Sequence, residues 1–245
     1  MSEKTNIAWT DSTVNFWSGC TKVSPGCANC YAEALGNRQL GNIGKWGKGA
    51  PRQLHESAFR LAEKLNRKPW IDDTGKAFTD DEYALMLDHE ASIRIFHRRR
   101  IFSLSLGDWL DDEVPIEWLA RMLDAIRRCD QVTWILCTKR PENFRMRLDA
   151  VYGSQCADHP LMDFIGGWTG LHVGALSSGT PKNIILLTSV ENQVQADKRI
   201  PELLKIPAAC RGLSCEPLLC EVDLGQWLFD PAKPIGWIIA GGESG

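Results

Sequence analysis

The sequence predicts an α/β fold in which parallel strands alternate with helices to form a partial (β/α)6 TIM-like barrel, with insertions after the first strand and before the fourth. Three observations predict it. Six short runs are apolar almost without a break, the pattern of strands covered on both faces. Polar, Gly or Pro residues follow these runs, and stretches with apolar residues at three- and four-residue steps lie between them, the alternation of βα units. The chain has 245 residues, close to the roughly 250 of a closed eight-unit barrel, but two stretches lack the pattern, so six units fit better than eight. An open doubly wound sheet is the competing arrangement.

Residues 13–18 form the first run. Residues 38–100 then read as a charged, partly helical insertion: 38–70 carry a net +6, 71–90 a net −6 and 91–100 a net +4. Leu54, Ala58, Leu61 and Leu65 make one apolar stripe, so these charges belong to the outer face of a solvated helix. The competing reading is a basic surface that tracks phosphates, with Trp46, Phe59 and Trp70 as stacking platforms. The second run, 101–106, precedes a helix carried by Ile116, Leu119, Leu123 and Ile126. The third, 133–138, leads through Pro141 to a helix with Phe144, Leu148 and Val151 on one face. Residues 152–183 read as a loop-rich insertion, with Gly166, Gly167, Gly170, Gly174, Gly179 and Pro181 marking 166–182 as surface loop. After the fourth run, 184–190, a helix through Val194, Ile200 and Leu203 is expected to kink or restart at Pro201. Runs 210–215 and 237–240 complete the six.

Composition excludes several classes. With 44% hydrophobic and 24% charged residues the chain is neither disordered nor fibrous. A net charge of −3 gives no global field for nucleic acid. No apolar run approaches the roughly 20 residues of a membrane span, and residues 1–11 lack the apolar core of a secretory signal. The expected location is therefore the cytoplasm, with no membrane partner. Nine cysteines in a reducing compartment point to metal binding or burial rather than to a disulfide framework.

Cys20, Cys27 and Cys30 fall within eleven residues, directly after the first predicted strand. Gly19, Pro25 and Gly26 let the loop turn back on itself, and the two-residue gap between Cys27 and Cys30 suits two ligands on one centre. Structural zinc takes four protein ligands, and the nearest fourth, His55, falls in a predicted helix. Three thiolates on a four-iron cluster would instead leave one iron open. The ligand count favours the cluster over zinc or over unliganded thiols. Cys129, Cys137, Cys156, Cys210, Cys215 and Cys220 share no tight spacing and read as free thiols. His89, His97 and His159 have no evident catalytic partner.

A three-cysteine loop after the first strand of a partial barrel resembles the radical S-adenosylmethionine enzymes, although six residues separate Cys20 from Cys27 where that group usually has three. More closely, the chain resembles a phage and prophage family of largely unknown function, a divergent three-cysteine relative of that group. The matching segments are Ile7 to Asp11, Asn15 to Trp17, Gly19 to Ala32, Leu136 to Pro141, Thr188 to Gln193, Leu213 to Leu219 and Gly241 to Gly245. The resemblance implies a [4Fe-4S] cluster on the three cysteines, S-adenosylmethionine on its open iron, and an electron donor such as a flavodoxin or ferredoxin. Reductive cleavage of that cofactor would release a 5'-deoxyadenosyl radical to act on a nucleic acid or nucleotide. Members usually run past the last glycine-rich segment, which implies that this single domain, 1–245, is cut short.

In a parallel barrel the working face lies at the strand ends. Lys139 and Arg140 there suit the cofactor carboxylate or a substrate phosphate, or an ion pair with Glu191 or Glu216. Glu191 and Glu216 suit ribose hydroxyls or helix capping. Gly241-Gly242-Glu243 resembles the Gly-Gly-Glu segment that binds the cofactor amine in the radical enzymes, where it follows strand two. Tyr31 and Trp17 are expected to shield the cluster from solvent. The reading from a different class is a metal-stabilised nucleic-acid-binding or accessory protein, its loop anchored by zinc or an iron-sulfur centre, without radical chemistry.

Overall fold

The computed structural model describes residues 2–38, 43–88, 95–155, 159–171, 179–229 and 235–242. Six strands form one sheet: β1 (Ser12–Val14), β2 (Arg100–Ser103), β3 (Thr133–Thr138), β4 (Ile184–Ser189), β5 (Cys210–Cys215) and β6 (Trp237–Ala240). Every neighbouring pair is parallel, and the strands lie side by side in chain order. That order distinguishes a partial barrel from a doubly wound sheet, in which the order reverses at a switch point. The helices are α1 (Tyr31–Arg38), α2 (Glu56–Asn66), α3 (Asp80–Asp88), α4 (Ile116–Arg128), α5 (Phe144–Ser154), α6 (Pro160–Thr169), α7 (Gln193–Lys205) and the short α8 (Gly225–Leu228). Among the described residues no helix is long and apolar enough to cross a membrane.

The two-residue period of a strand divides each apolar run between two cores. Trp134, Leu136, Ile184, Leu186 and Leu213 belong to the large cluster that also holds the buried faces of α4, α5, α6 and α7. Ile135, Leu187 and Ile239 point the other way and pack with Phe102, Cys137, Ile185, Trp237 and Trp9. Trp9, from the segment before β1, stands 4.7 Å from Phe102 and 6.1 Å edge-on from Trp237, filling the concave side of the sheet. Gly212 makes room there, since a Cβ at that position would lie 2.6 Å from Leu187 Cδ2.

Four details depart from the sequence expectations. The first run breaks at Asn15, whose Oδ1 accepts the Leu106 N–H at 2.9 Å; beyond it Trp17–Ser18 pairs antiparallel with Gln53–Leu54. Helix α7 runs through Pro201, held on either side by buried Ile200 and Leu203. Residues 160–169 are a helix rather than surface loop: Leu161, Phe164, Ile165 and Trp168 recur at helical spacing and are buried. Their burial outweighs the roughly 1 kcal/mol that each of Gly166 and Gly167 costs inside a helix, and Gly170, at φ 71°, ends it in the left-handed conformation that glycine tolerates. The 38–100 insertion holds a three-stranded antiparallel sheet, Trp70–Asp72 between Ala77–Phe78 and Phe96–Arg98, beside α2 and α3.

Several charges in the insertion are paired within the molecule. Glu56 and Glu63 of α2 bind Arg121 and Arg128 of α4 at 2.7 and 3.0 Å. The rings are engaged as well: Trp70 stacks on Tyr83 at 3.8 Å with the Arg98 guanidinium 4.3 Å away, and Phe59 lies between Phe16 and Arg121. Gly174, Cys156, His89 and Glu243 lie outside the described residues.

Candidate functional site

The inward-facing positions nearest the strand ends of β3, β4 and β5 are Cys137, Ser189 and Ser214, polar where the positions below them are apolar. Above them opens a cavity of about 560 Å³, within the range of ligand pockets. Cys20, Cys27 and Cys30 all line it, together with Trp9, Tyr31, Lys139, Arg140, Glu216 and Gly242. The strand ends and the cysteine loop, far apart in sequence, thus share one space.

The loop is held at both ends. Gly19, at φ 100°, turns the chain after Trp17–Ser18, and its N–H donates to the Leu106 carbonyl at 3.0 Å. No side chain fits there, because a Cβ would lie 2.7 Å from the Lys45 carbonyl oxygen. Arg140 Nη2 donates to the Thr21 carbonyl at 2.6 Å and Arg52 Nη2 to the Thr21 hydroxyl at 2.7 Å. At the far end Pro25–Cys27 makes a single 3-10 turn, and the Gly26 N–H donates to Glu191 Oε1 at 3.3 Å. Cys30 directly precedes α1, whose Tyr31 hydroxyl donates to the Ser105 carbonyl across the cavity.

Behind Cys20 lies a buried charge network. Arg140 Nη1 is 2.9 Å from Asp108 Oδ2 and 3.6 Å from Cys20 Sγ. Asp111, fully buried, pairs with Arg52 at 2.9 Å. Asp108 is saturated, since it also accepts from the Thr138 hydroxyl and from the backbone of Leu110 and Lys139. Burial, reinforced by the Asp108 carboxylate and partly offset by Arg140, pushes the Cys20 thiol up to about 12. Burial likewise pushes the Cys137 thiol up.

Neighbouring Lys139 and Arg140 diverge. Arg140 is spent on Asp108, Thr21 and Cys20, and not on Glu191 or Glu216. Lys139 reaches Ser189 Oγ at 3.1 Å and has no carboxylate partner among the described residues. Glu191 is absent from the cavity wall. It is buried and fixed by Arg199 at 2.7 Å, and although burial raises its carboxyl, bonds from Ser24, Arg199 and Gly26 hold it below the usual range. Capping of α7 falls instead to Asn192, which accepts from Gln195 N–H at 2.9 Å. Glu216 lines the cavity, accepts from Trp9 Nε1 at 3.2 Å, and lies so close to Gly241 that a Cβ there would sit 2.7 Å from its Oε1. Gly241 pairs by its backbone with Cys215 and Leu218, and Gly242 lines the wall. Trp17 is fully buried in the large core, away from the cavity. His97 bonds Asp11 at 3.1 Å, and His159 caps α6.

The thiols of Cys20, Cys27 and Cys30 are an all-sulfur donor set with a guanidinium at one of them, chemistry that fits an iron-sulfur centre. They open on one cavity without converging: among the described residues no three His, Cys, Asp or Glu side chains form a metal-holding group. Binding a centre therefore requires the loop to tighten. Cys137 shares the cavity, although its place in an apolar run hid that. Arg52, Asp111 and Glu113 were also missed, because ordinary charges in loops carry no spacing signal. No curated protein and no solved structure matches the chain. A family model matches residues 4–245, and the chain belongs to that family, described as Protein of unknown function (DUF5131).

Proposed function

We propose that the chain is an iron-sulfur protein of the radical S-adenosylmethionine kind, with Cys20, Cys27 and Cys30 holding a [4Fe-4S] cluster and the adjoining cavity holding S-adenosylmethionine and a substrate. The observation that carries the reading is that three thiols of one loop line a single ligand-sized cavity at the strand ends of a parallel partial barrel. Held by Cys20, Cys27 and Cys30, such a cluster would supply one-electron reduction of the cofactor, the source of radical chemistry at the site.

The residues of the chain prepare the site. Arg140 sets a cation against the Cys20 sulfur, and Glu191 fixes the loop through Gly26. Trp9 and Tyr31 contribute aromatic rings to the cavity wall, although Tyr31 is half exposed rather than sealed from solvent. Glu216, held by Trp9 and backed by Gly241, offers a carboxylate to a ribose hydroxyl or an amine. A flavodoxin or ferredoxin would meet the loop at its outer surface, where Val23 is exposed.

The test is anaerobic reconstitution followed by iron, sulfide and zinc analysis and by electron paramagnetic resonance with and without S-adenosylmethionine. A four-iron signal that changes on adding the cofactor is expected. Cys27→Ala should lose iron while Cys137→Ala keeps it, a stringent control because Cys137 lines the same cavity. Stoichiometric zinc, or a cluster signal indifferent to the cofactor, would reject radical chemistry.

A further inference from the structure

We infer that the inner wall of the cavity is a subsite for a small oxyanion, a carboxylate or a phosphate monoester, received by Lys139 and Ser189. The inference deepens the functional reading by naming the substrate class, and rests on that reading only in placing the ligand beside the three thiols.

Two cationic side chains line the cavity. Arg140 is neutralised by Asp108 and fastened to the Thr21 carbonyl. The Lys139 ammonium meets only the Ser189 hydroxyl, at 3.1 Å, and no carboxylate lies within ion-pair distance of it among the described residues. Asp108, the nearest acid by sequence and by backbone contact, already serves four other groups. An ammonium left unpaired in a half-enclosed pocket is complementary to an anion, and a hydroxyl beside it supplies a further hydrogen bond. Ser214 adds another hydroxyl on the next strand, in register with Ser189.

The same wall argues for a small molecule over a polymer. Several cations of the basic insertion are committed to partners within the molecule: Lys64 to Glu3, Lys68 to Glu82 and Arg98 to Asp80. Trp70 and Phe59 are packed against side chains of the chain itself. Lys139 instead stands inside a cavity of about 560 Å³, room for a metabolite rather than a polymer.

The experiment titrates the full chain as purified with inorganic phosphate, acetate, adenosine 5'-monophosphate, adenosine and an unphosphorylated 12-mer DNA, read by ligand-observed magnetic resonance. Phosphate or acetate should bind, the tighter of the two naming the anion. Lys139→Met should weaken that binding tenfold or more at unchanged melting temperature, and Lys139→Arg should retain it. Absence of binding by both anions, equal binding by Lys139→Met, or a 12-mer that outcompetes the monophosphate would overturn the inference. The titration is repeated after chelation, where the same constants are expected. Failure of the cluster reading appears in the metal analysis and leaves these constants unmoved, whereas failure here leaves the metal analysis unmoved.

Discussion

Lys139 and Arg140 show how little residue type says about role. Both are cations at one strand end, yet one is a buried strut and the other faces the cavity with no carboxylate partner among the described residues. Arg140→Met strands the Asp108 carboxylate in a buried site and should cost about 3–5 kcal/mol in urea unfolding, whereas Lys139→Met breaks no ion pair among the described residues and should stay within about 1 kcal/mol. Asp11 provides the pH test. Burial raises its carboxyl, but bonds from the Arg100 backbone and side chain and from His97 prevail, so its folded value lies below 3.8. A depressed carboxylate stabilises the fold above its unfolded value, and that contribution fades as pH falls through the folded one. Asp11→Asn should therefore be less stable at pH 7 by about 1–2 kcal/mol, and the deficit should shrink steadily on acidification below pH 3.8. A deficit independent of pH would mean that packing, not charge, is what the substitution removes.

At the scale of elements, α6 and the cysteine loop carry the sharper expectations. Trp168 is 1% exposed, stacks 6.2 Å from Trp109 and donates to the Pro207 carbonyl at 2.8 Å. Trp168→Ala should cost about 3–5 kcal/mol in chemical denaturation, a loss that a surface loop would not show. The loop before α1 exposes Lys22 and Val23 beside thiols that have not converged. Loading with iron should tighten it, so trypsin should cut after Lys22 in the metal-free chain and be slowed in the reconstituted one, with melting temperature rising as ligand linkage requires. Cleavage at the same rate in both would place the metal elsewhere. Strands β3 and β4 were legible because apolar runs buried on both faces leave little choice of period. Helix α6 was not, because its glycines imitate a loop and the burial that overrides them comes from residues such as Trp109, far away in sequence.

For the whole molecule, the open side of the barrel is finished by a segment outside the sheet. Trp9 plugs the concave face, joins Phe102 to Trp237 and orients Glu216. Trp9→Ala should lower the denaturation midpoint by about 2 kcal/mol equivalent without changing the denaturant slope, and should loosen Glu216 at the cavity rim. The amino-acid sequence by itself determined the class of fold, six of its strands and the three cysteines as a group, because burial on both faces and close ligand spacing are local patterns. Only the tertiary structure decided which residues of each strand face the cavity, since a strand apolar on both sides hides its parity. It also decided that Arg140 is spent while Lys139 meets no carboxylate among the described residues, that Glu191 braces the loop rather than lining the cavity, and that Cys137 shares it. Those outcomes depend on which groups the fold brings together, Arg140 with Asp108 across 32 residues and Glu191 with Gly26 across 165, and no motif spacing records such meetings.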